Sequence, residues 1–134
     1  MNTFKLQWCC VCLTGLLTLG APVQAAEDSD GWIPLFDGKT LEGWKASENQ
    51  GGFKAVNGAI TFNGARSHLF YVGKVQNADF KNFEFKADVL TTPLANSGIY
   101  FHTEYQAKDF PKQGFEAQVA NTHRDPVRTG SLYN

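Results

Sequence analysis

The chain has 134 residues, a formal net charge of −1 at pH 7 and a hydrophobic fraction of 43%. This length allows one domain at most, and the near-neutral charge argues against a basic surface for nucleic acid or anionic membranes. The three cysteines, Cys9, Cys10 and Cys12, all precede residue 13, so the rest of the chain holds neither a disulfide nor a cysteine metal site.

Residues 1–25 have the pattern of a signal peptide. Lys5 supplies a positive charge, residues 8–19 form an uncharged apolar run, and residues 23–25 offer modest side chains to a signal peptidase. The run is too short to cross a bilayer core of about 30 Å. We therefore expect an exported protein, periplasmic or extracellular, with no membrane attachment after cleavage; an uncleaved anchor and a lipidated cysteine are the less favoured alternatives.

An acidic spacer, residues 26–30, precedes a domain that we predict over residues 31–134. The segment 31–44 contains Pro34 and the dipeptide Asp37-Gly38 between two tryptophans. A proline has no N–H to donate to a neighbouring strand, so the segment predicts an edge strand followed by a turn and an aromatic corner.

Four further strands are predicted before residue 91. Asn57-Gly58 separates two alternating runs and is typical of a tight hairpin of residues 53–56 and 59–62. Residues 68–72 form the next strand, and residues 80–90 contain the last, with Phe83, Phe85, Ala87 and Val89 on a buried face. Apolar residues do not recur with helical spacing, so the predicted fold class is an all-β sandwich.

The strand at residues 114–119 carries the most informative pattern. Phe115, Ala117 and Val119 alternate with Glu116 and Gln118, which predicts a core face and a polar face. Glu116 is the best single candidate for a functional carboxylate. A solvated surface residue is the alternative for both Glu116 and Gln118.

A similar alternation runs through residues 96–102. Tyr100 and His102 lie on one side of that strand with Gly98, which leaves room beside them. If the strands share a sheet, these side chains join Glu116 and Gln118 on one surface. A carboxylate, an imidazole, an amide and a phenol together are suited to a groove that handles sugars.

The pattern does not fit an ordinary glycosidase. Such enzymes use two carboxyl groups about 5 or about 6.5–9.5 Å apart, and Gln118 stands where a second acid would follow Glu116 on the strand. Glu84, Asp88 and Glu104 remain open as partners, because no spacing distinguishes them.

Other candidates come from histidines and from loops. His102 and His123 are the histidines expected near Glu116, and His68, on an earlier strand, is a less favoured candidate. Tyr105 is a candidate platform for a sugar ring. The loop after residue 120 offers further candidates that would overhang the groove, namely Asn121, His123, Arg124 and Asp125. A divalent metal held by Glu116 and His102 is a weakly supported alternative, and whether a metal is used stays open.

Four motifs follow one another along the chain: residues 32–44, Asn96-Ser-Gly-Ile-Tyr100, Gly114-Phe-Glu-Ala-Gln118 and Thr129-Gly-Ser-Leu-Tyr133. Together, and in this order, they resemble the 3-keto-disaccharide hydrolase domain family. The resemblance implies a concanavalin-A-like jelly-roll sandwich and a small carbohydrate as partner. The oligomeric state is not indicated.

The activity that the resemblance implies is cleavage of glycosides whose sugar carries a ketone at C3. The ketone acidifies the C2 proton, so one base suffices and a second acid is not needed as nucleophile. On this hypothesis Glu116 is the base or a metal ligand, His102 or His123 carries a proton, and Gln118 and Asn96 bind hydroxyls. Tyr100, Tyr105, Asn121 and Arg124 are further substrate-binding candidates.

Two other functions fit the same sequence pattern, and the chain differs from the family in one respect. A carbohydrate-binding module without catalysis, or a structural domain of the cell envelope, would use the same sandwich. The family domain normally continues beyond the Gly-Ser-Leu-Tyr segment, so the jelly roll is expected to be incomplete in this chain, and the chain alone to be poorly stable and inactive.

Overall fold

This computed structural model describes residues 4–6 and 30–133. Within them the structure is almost entirely β, built from short strands and two 3-10 turns, and this confirms the predicted all-β, jelly-roll-type class. The strands are β1 Phe4–Leu6, β2 Trp44–Ala46, β3 Phe53–Val56, β4 Ala59–Phe62, β5 Leu69–Tyr71, β6 Phe83–Phe85, β7 Ser97–Phe101, β8 Phe115–Val119 and β9 Leu132–Tyr133; the turns are Gln50–Gly52 and Val75–Ala78.

Apart from β1, the predicted signal peptide lies outside the described residues, as does most of the predicted spacer. In the described part of the chain no helix has the length and apolar character to cross a membrane. The chain divides into two compact units, residues 1–87 and residues 88–134.

In the first unit, the hairpin predicted at Asn57-Gly58 is confirmed. β3 and β4 pair antiparallel with Phe53 opposite Phe62, and the two rings pack with their centroids 4.4 Å apart. Asn57 and Gly58 have φ angles of 50° and 79°. These positive φ angles are those that a two-residue hairpin turn requires, and asparagine and glycine reach them at low cost.

The segment before β2 forms a turn but not the predicted edge strand. Asp37 Oδ1 accepts hydrogen bonds from the backbone N–H groups of Lys39, at 2.8 Å, and Thr40, at 2.7 Å. The indole N–H of Trp44 donates to the carbonyl oxygen of Leu35 at 2.9 Å. The two bonds to Asp37 form the predicted turn at Asp37-Gly38. The carbonyl oxygen of Leu35 is bonded by a side chain, and in this segment only Trp32 makes an isolated β-bridge, so the predicted edge strand does not form.

The strand predicted over residues 80–90 is mostly absent. Only β6 forms, parallel to β1, while Val89 and Leu90 are 51% and 99% exposed. Within the described residues no strand pairs with residues 86–90. The prediction of a buried face extending to Val89 was wrong because an alternating pattern is buried only where a partner covers it.

The second unit contains a three-stranded antiparallel sheet in the order β7-β8-β9. The expectation that residues 96–102 and 114–119 share a sheet is thus confirmed. β7 ends at Phe101, just before His102, whose φ is 55°, and β8 follows Gly114, whose φ is 91°. A side chain at Gly114 would collide with the carbonyl oxygens of Phe101 and His102, so the start of β8 requires glycine.

Candidate functional site

One row of side chains crosses the sheet of the second unit. Tyr100 on β7 lies opposite Glu116 on β8, and Glu116 lies opposite Tyr133 on β9. Directly opposed residues of an antiparallel sheet project from the same face, with Cβ atoms about 4.5–5.5 Å apart. The sheet thus places one carboxyl group between two phenols.

Gly98, which lies opposite Gln118, leaves space that the side chain of Glu116 occupies. A Cβ atom at position 98 would overlap the carboxyl group of Glu116. The carboxyl group therefore leans from β8 over the backbone of β7, into space that only glycine leaves open. The expectation that Gly98 leaves room beside the polar side chains agrees with this arrangement.

Burial and neighbouring groups change the proton affinity of the row. Partial burial raises the pKa of Glu116, a hydrogen bond with the Tyr100 hydroxyl opposes this rise, and the negative charge of Asp125 adds to it. Burial also raises the pKa of Tyr100, and the hydrogen bond to Glu116 and the carboxylate charge raise it further. The Tyr100 phenol therefore stays protonated and donates to Glu116, whose carboxylate binds a proton more readily than an exposed one.

Gln118 is far more buried than a polar-face residue should be. Its side chain is 3% exposed, whereas Phe115, predicted to lie on the core face, is 37% exposed. The Oε1 atom of Gln118 accepts a hydrogen bond from the N–H of Val119 at 3.0 Å. The prediction that Phe115 lies on a buried core face was wrong, and Gln118 is not the solvated surface residue of the alternative. Residues 130–131 run alongside Gln118 and hydrogen-bond its backbone.

The loop that follows β8 is held by its own side chains. Nδ1 of His123 accepts the N–H of Asp125 at 3.1 Å, and Oδ1 of Asp125 accepts the N–H of Val127 at 2.9 Å. The guanidinium group of Arg128 donates to the carbonyl oxygens of both His123 and Asp125. Since Nδ1 of His123 acts as an acceptor here, the neutral ring carries its proton on Nε2.

The ends of this loop are also tied together. The hydroxyl of Thr129 accepts the N–H of Ala120 at 3.0 Å and donates to Oδ1 of Asn121 at 2.7 Å. Asn121 thus has a role in closing the loop, whereas Arg124 is exposed on it. Of the loop candidates, Asp125 acts on Glu116 through its negative charge, which raises the pKa of Glu116.

The remaining candidates lie around this sheet or away from it. The ring of His102 packs edge-on against Phe101 with centroids 5.7 Å apart, and Asn96 is exposed just before β7. Tyr105 is 37% exposed in the loop between β7 and β8. His68 belongs to the first unit, where its backbone N–H donates to Oγ of Ser47 at 3.0 Å and where burial and the charge of Arg66 lower its pKa.

The three acidic residues considered as partners of Glu116 lie in both units. Glu84 lies on β6 of the first unit, and Asp88 and Glu104 are exposed in the second. Among residues 4–6 and 30–133, no three histidine, cysteine, aspartate or glutamate side chains gather closely enough to hold a metal ion. No third side chain of these four types therefore joins Glu116 and His102 as a metal ligand within the described residues.

Most of the chain is similar to a known protein family. The family described as the 3-keto-alpha-glucoside-1,2-lyase-like domain matches residues 31–134. A protein of Bacteroides thetaiotaomicron named 3-keto-disaccharide hydrolase is 33% identical over 100 residues, which cover 65% of this chain and 33% of that protein. The chain thus spans about a third of the length of this relative. No solved structure matches the chain.

Proposed function

The chain belongs to the 3-keto-alpha-glucoside-1,2-lyase-like domain family, and from this we propose that it cleaves glycosides whose sugar carries a ketone at C3. The family and the relative named 3-keto-disaccharide hydrolase support an enzyme acting on a carbohydrate at a coarse level. The single observation that carries the finer proposal is the carboxyl group of Glu116, set over Gly98 and hydrogen-bonded by Tyr100.

Glu116 acts as the general base. It takes the proton from C2, and the electrons of that C–H bond move toward the C3 carbonyl, whose oxygen gains negative charge. The enolate then restores the ketone, forms a C1–C2 double bond and breaks the bond from C1 to the leaving oxygen. Water adds across the double bond, with hydroxide at C1 and a proton at C2, so the net reaction is hydrolysis.

The electrostatics of Glu116 support this role. A carboxylate with a raised pKa is, when ionised, a stronger base than an exposed one. The hydrogen bond from Tyr100 holds the carboxyl group in one position. One base is enough in this mechanism, which is consistent with an amide, not an acid, at position 118.

A proton donor completes the proposed chemistry. The neutral ring of His123 carries its proton on Nε2, because Nδ1 accepts from Asp125. We assign this N–H as a candidate donor to the leaving oxygen, with His102 as the alternative. The proton on Glu116 exchanges with solvent after the elimination, and Glu116 then delivers a solvent-derived proton to C2 when water adds.

The test measures turnover of a 3-keto-glucoside in D₂O with the wild-type chain and with Glu116→Gln. Elimination followed by hydration places solvent deuterium at C2 of the product, whereas direct hydrolysis leaves the original C2 proton in place. We expect deuterium at C2 and loss of turnover in the variant. Turnover by the wild-type chain would also overturn the expectation that the incomplete jelly roll is inactive on its own. The released 3-keto sugar, incubated without protein, corrects for spontaneous exchange.

Two outcomes would contradict the proposal. Wild-type turnover by Glu116→Gln would exclude Glu116 as the base, and a product that retains the C2 proton would exclude the elimination route. Binding of unmodified glycans without any product, unaffected by Glu116→Ala, would instead favour the carbohydrate-binding module.

A further inference from the structure

Tyr133 completes the row that contains Glu116. It lies opposite Glu116 on β9, while Tyr100 lies opposite Glu116 on β7. The two phenols also interact electrostatically. The carboxyl group is therefore bordered by a hydroxyl-bearing ring on each side of the central strand.

The position of Tyr133 is fixed by more than the two residues of β9. The N–H of Gln118 donates to the carbonyl oxygen of Ser131 at 2.9 Å, and the N–H of Thr129 donates to the carbonyl oxygen of Ala120 at 3.2 Å. These bonds continue the antiparallel register beyond β9. A slip of one residue would turn Tyr133 to the opposite face and would break all of them.

The two phenols have different surroundings. Tyr100 is partly buried and its hydroxyl is committed to Glu116, whereas Tyr133 is 41% exposed. The carboxyl group leans over Gly98, toward β7 and away from β9. A ligand seated above β8 would thus meet the carboxylate on one side and the Tyr133 hydroxyl on the other.

We propose that Tyr133 is a second catalytic residue, whose hydroxyl donates a hydrogen bond to the C3 oxygen of the substrate as that oxygen becomes an enolate. This role rests on the proposed function. The C2 proton goes to Glu116, the electron pair goes to the C3 oxygen, and Tyr133 keeps its own proton while it stabilises the charge. A donor aimed at a developing oxyanion is typically worth about 10²–10³ in rate.

The experiment uses the 3-keto derivative of 1,5-anhydroglucitol, which has no exocyclic leaving group at C1. Exchange of its C2 proton in D₂O, followed by NMR, reports enolate formation alone. We expect Tyr133→Phe to slow the protein-catalysed exchange about 100-fold, and to lower kcat on a 3-keto-glucoside by a similar factor with little change in KM.

The matched control is Leu132→Ala. Leu132 is 64% exposed on the same short strand, and it lies opposite Ala117, so it projects from the other face of the sheet. This variant should retain wild-type exchange. Slower exchange in Tyr133→Phe would then be due to the missing hydroxyl and not to a disturbed β9. Thermal unfolding of Tyr133→Phe should match that of the wild type, since the ring is kept.

The outcomes separate the two proposals. Wild-type exchange by Tyr133→Phe, together with loss of exchange by Glu116→Gln, would overturn the role of Tyr133 and leave the proposed function intact. Unchanged exchange with reduced turnover would assign Tyr133 to the leaving group and overturn the enolate role. If the wild-type chain does not speed the exchange at all, the proposed function fails, and the role of Tyr133 with it.

Discussion

The carboxyl group of Glu116 fills the space over Gly98 that any other side chain at position 98 would occupy. These two residues lie on neighbouring strands, in adjacent rows of one sheet. The glycine is needed for the close approach, because its backbone φ is not in the left-handed region. A functional group is thus positioned here by an absent side chain.

The first prediction concerns this space. Gly98→Ala would push the carboxyl group away from β7 without removing any reacting group. Because a displacement of about 1 Å in a reacting group can cost about 100-fold in rate, we expect turnover to fall by that order while the sheet still forms. Turnover of a 3-keto-glucoside and circular dichroism measure the two effects.

Gly51→Ala is the control for this substitution. A Cβ atom at position 51 would meet no atom within 4 Å, so it changes glycine content without crowding anything. Equal turnover by Gly98→Ala and the wild type would show that the position of the Glu116 carboxyl group is not critical.

The second prediction concerns the hydrogen bond from Tyr100. This bond lowers the pKa of Glu116 against the effect of burial. Its removal in Tyr100→Phe should therefore raise the pKa of Glu116 further and move the acidic limb of the kcat/KM profile to higher pH. NMR titration of the Glu116 carboxyl carbon measures the same change directly, and a limb that moves to lower pH would contradict the assignment of Glu116 as the base.

The third prediction is a shift of the acidic limb of the kcat/KM profile in the opposite direction, to lower pH. The negative charge of Asp125 raises the pKa of Glu116, so Asp125→Asn should lower that pKa and move the acidic limb to lower pH. Because Oδ1 of Asp125 also holds the N–H of Val127, the asparagine keeps an acceptor for the loop. If Tyr100→Phe and Asp125→Asn shift the limb in the same direction, the change comes from altered packing and not from these two groups.

Local chemistry made part of the structure predictable. The hairpin at Asn57-Gly58 depends on backbone angles of two residues, and the pairing of β7 with β8 follows from two long alternating runs. The burial of Gln118 depends on residues 130–131, which carry no alternation of their own. β9 has two residues, too few for a periodic signal, so the sequence shows Tyr133 only within a family motif and does not indicate its place beside Glu116.

The fourth prediction tests the hairpin. Gly58 has a φ of 79° and its missing side chain faces open space, so Gly58→Ala introduces no collision but forces alanine into a left-handed conformation. This costs about 1 kcal/mol of unfolding free energy. Denaturant unfolding of the variant against the wild type measures the cost, and unchanged stability would mean that the turn contributes little to the folded state.

The fifth prediction links the site to stability. The folded-state pKa of Glu116 lies above its usual value, so the folded protein binds this proton more tightly than the unfolded chain does. The stability from this group is complete below the unfolded pKa and is lost as the pH rises through the folded pKa. Glu116→Gln has no such proton, so the variant should gain stability relative to the wild type as the pH rises from 4 to 7.

The gain should stay below about 1 kcal/mol, because Glu116 is only partly buried and water screens much of the interaction. Thermal unfolding of both proteins across this pH range measures it, with Glu104→Gln, on the exposed loop after β7, as the control for the loss of one negative charge. A gain confined to Glu116→Gln, together with its loss of turnover, would show that this carboxylate is retained for chemistry at a cost to the fold. A stability difference that stays constant with pH would contradict the raised pKa.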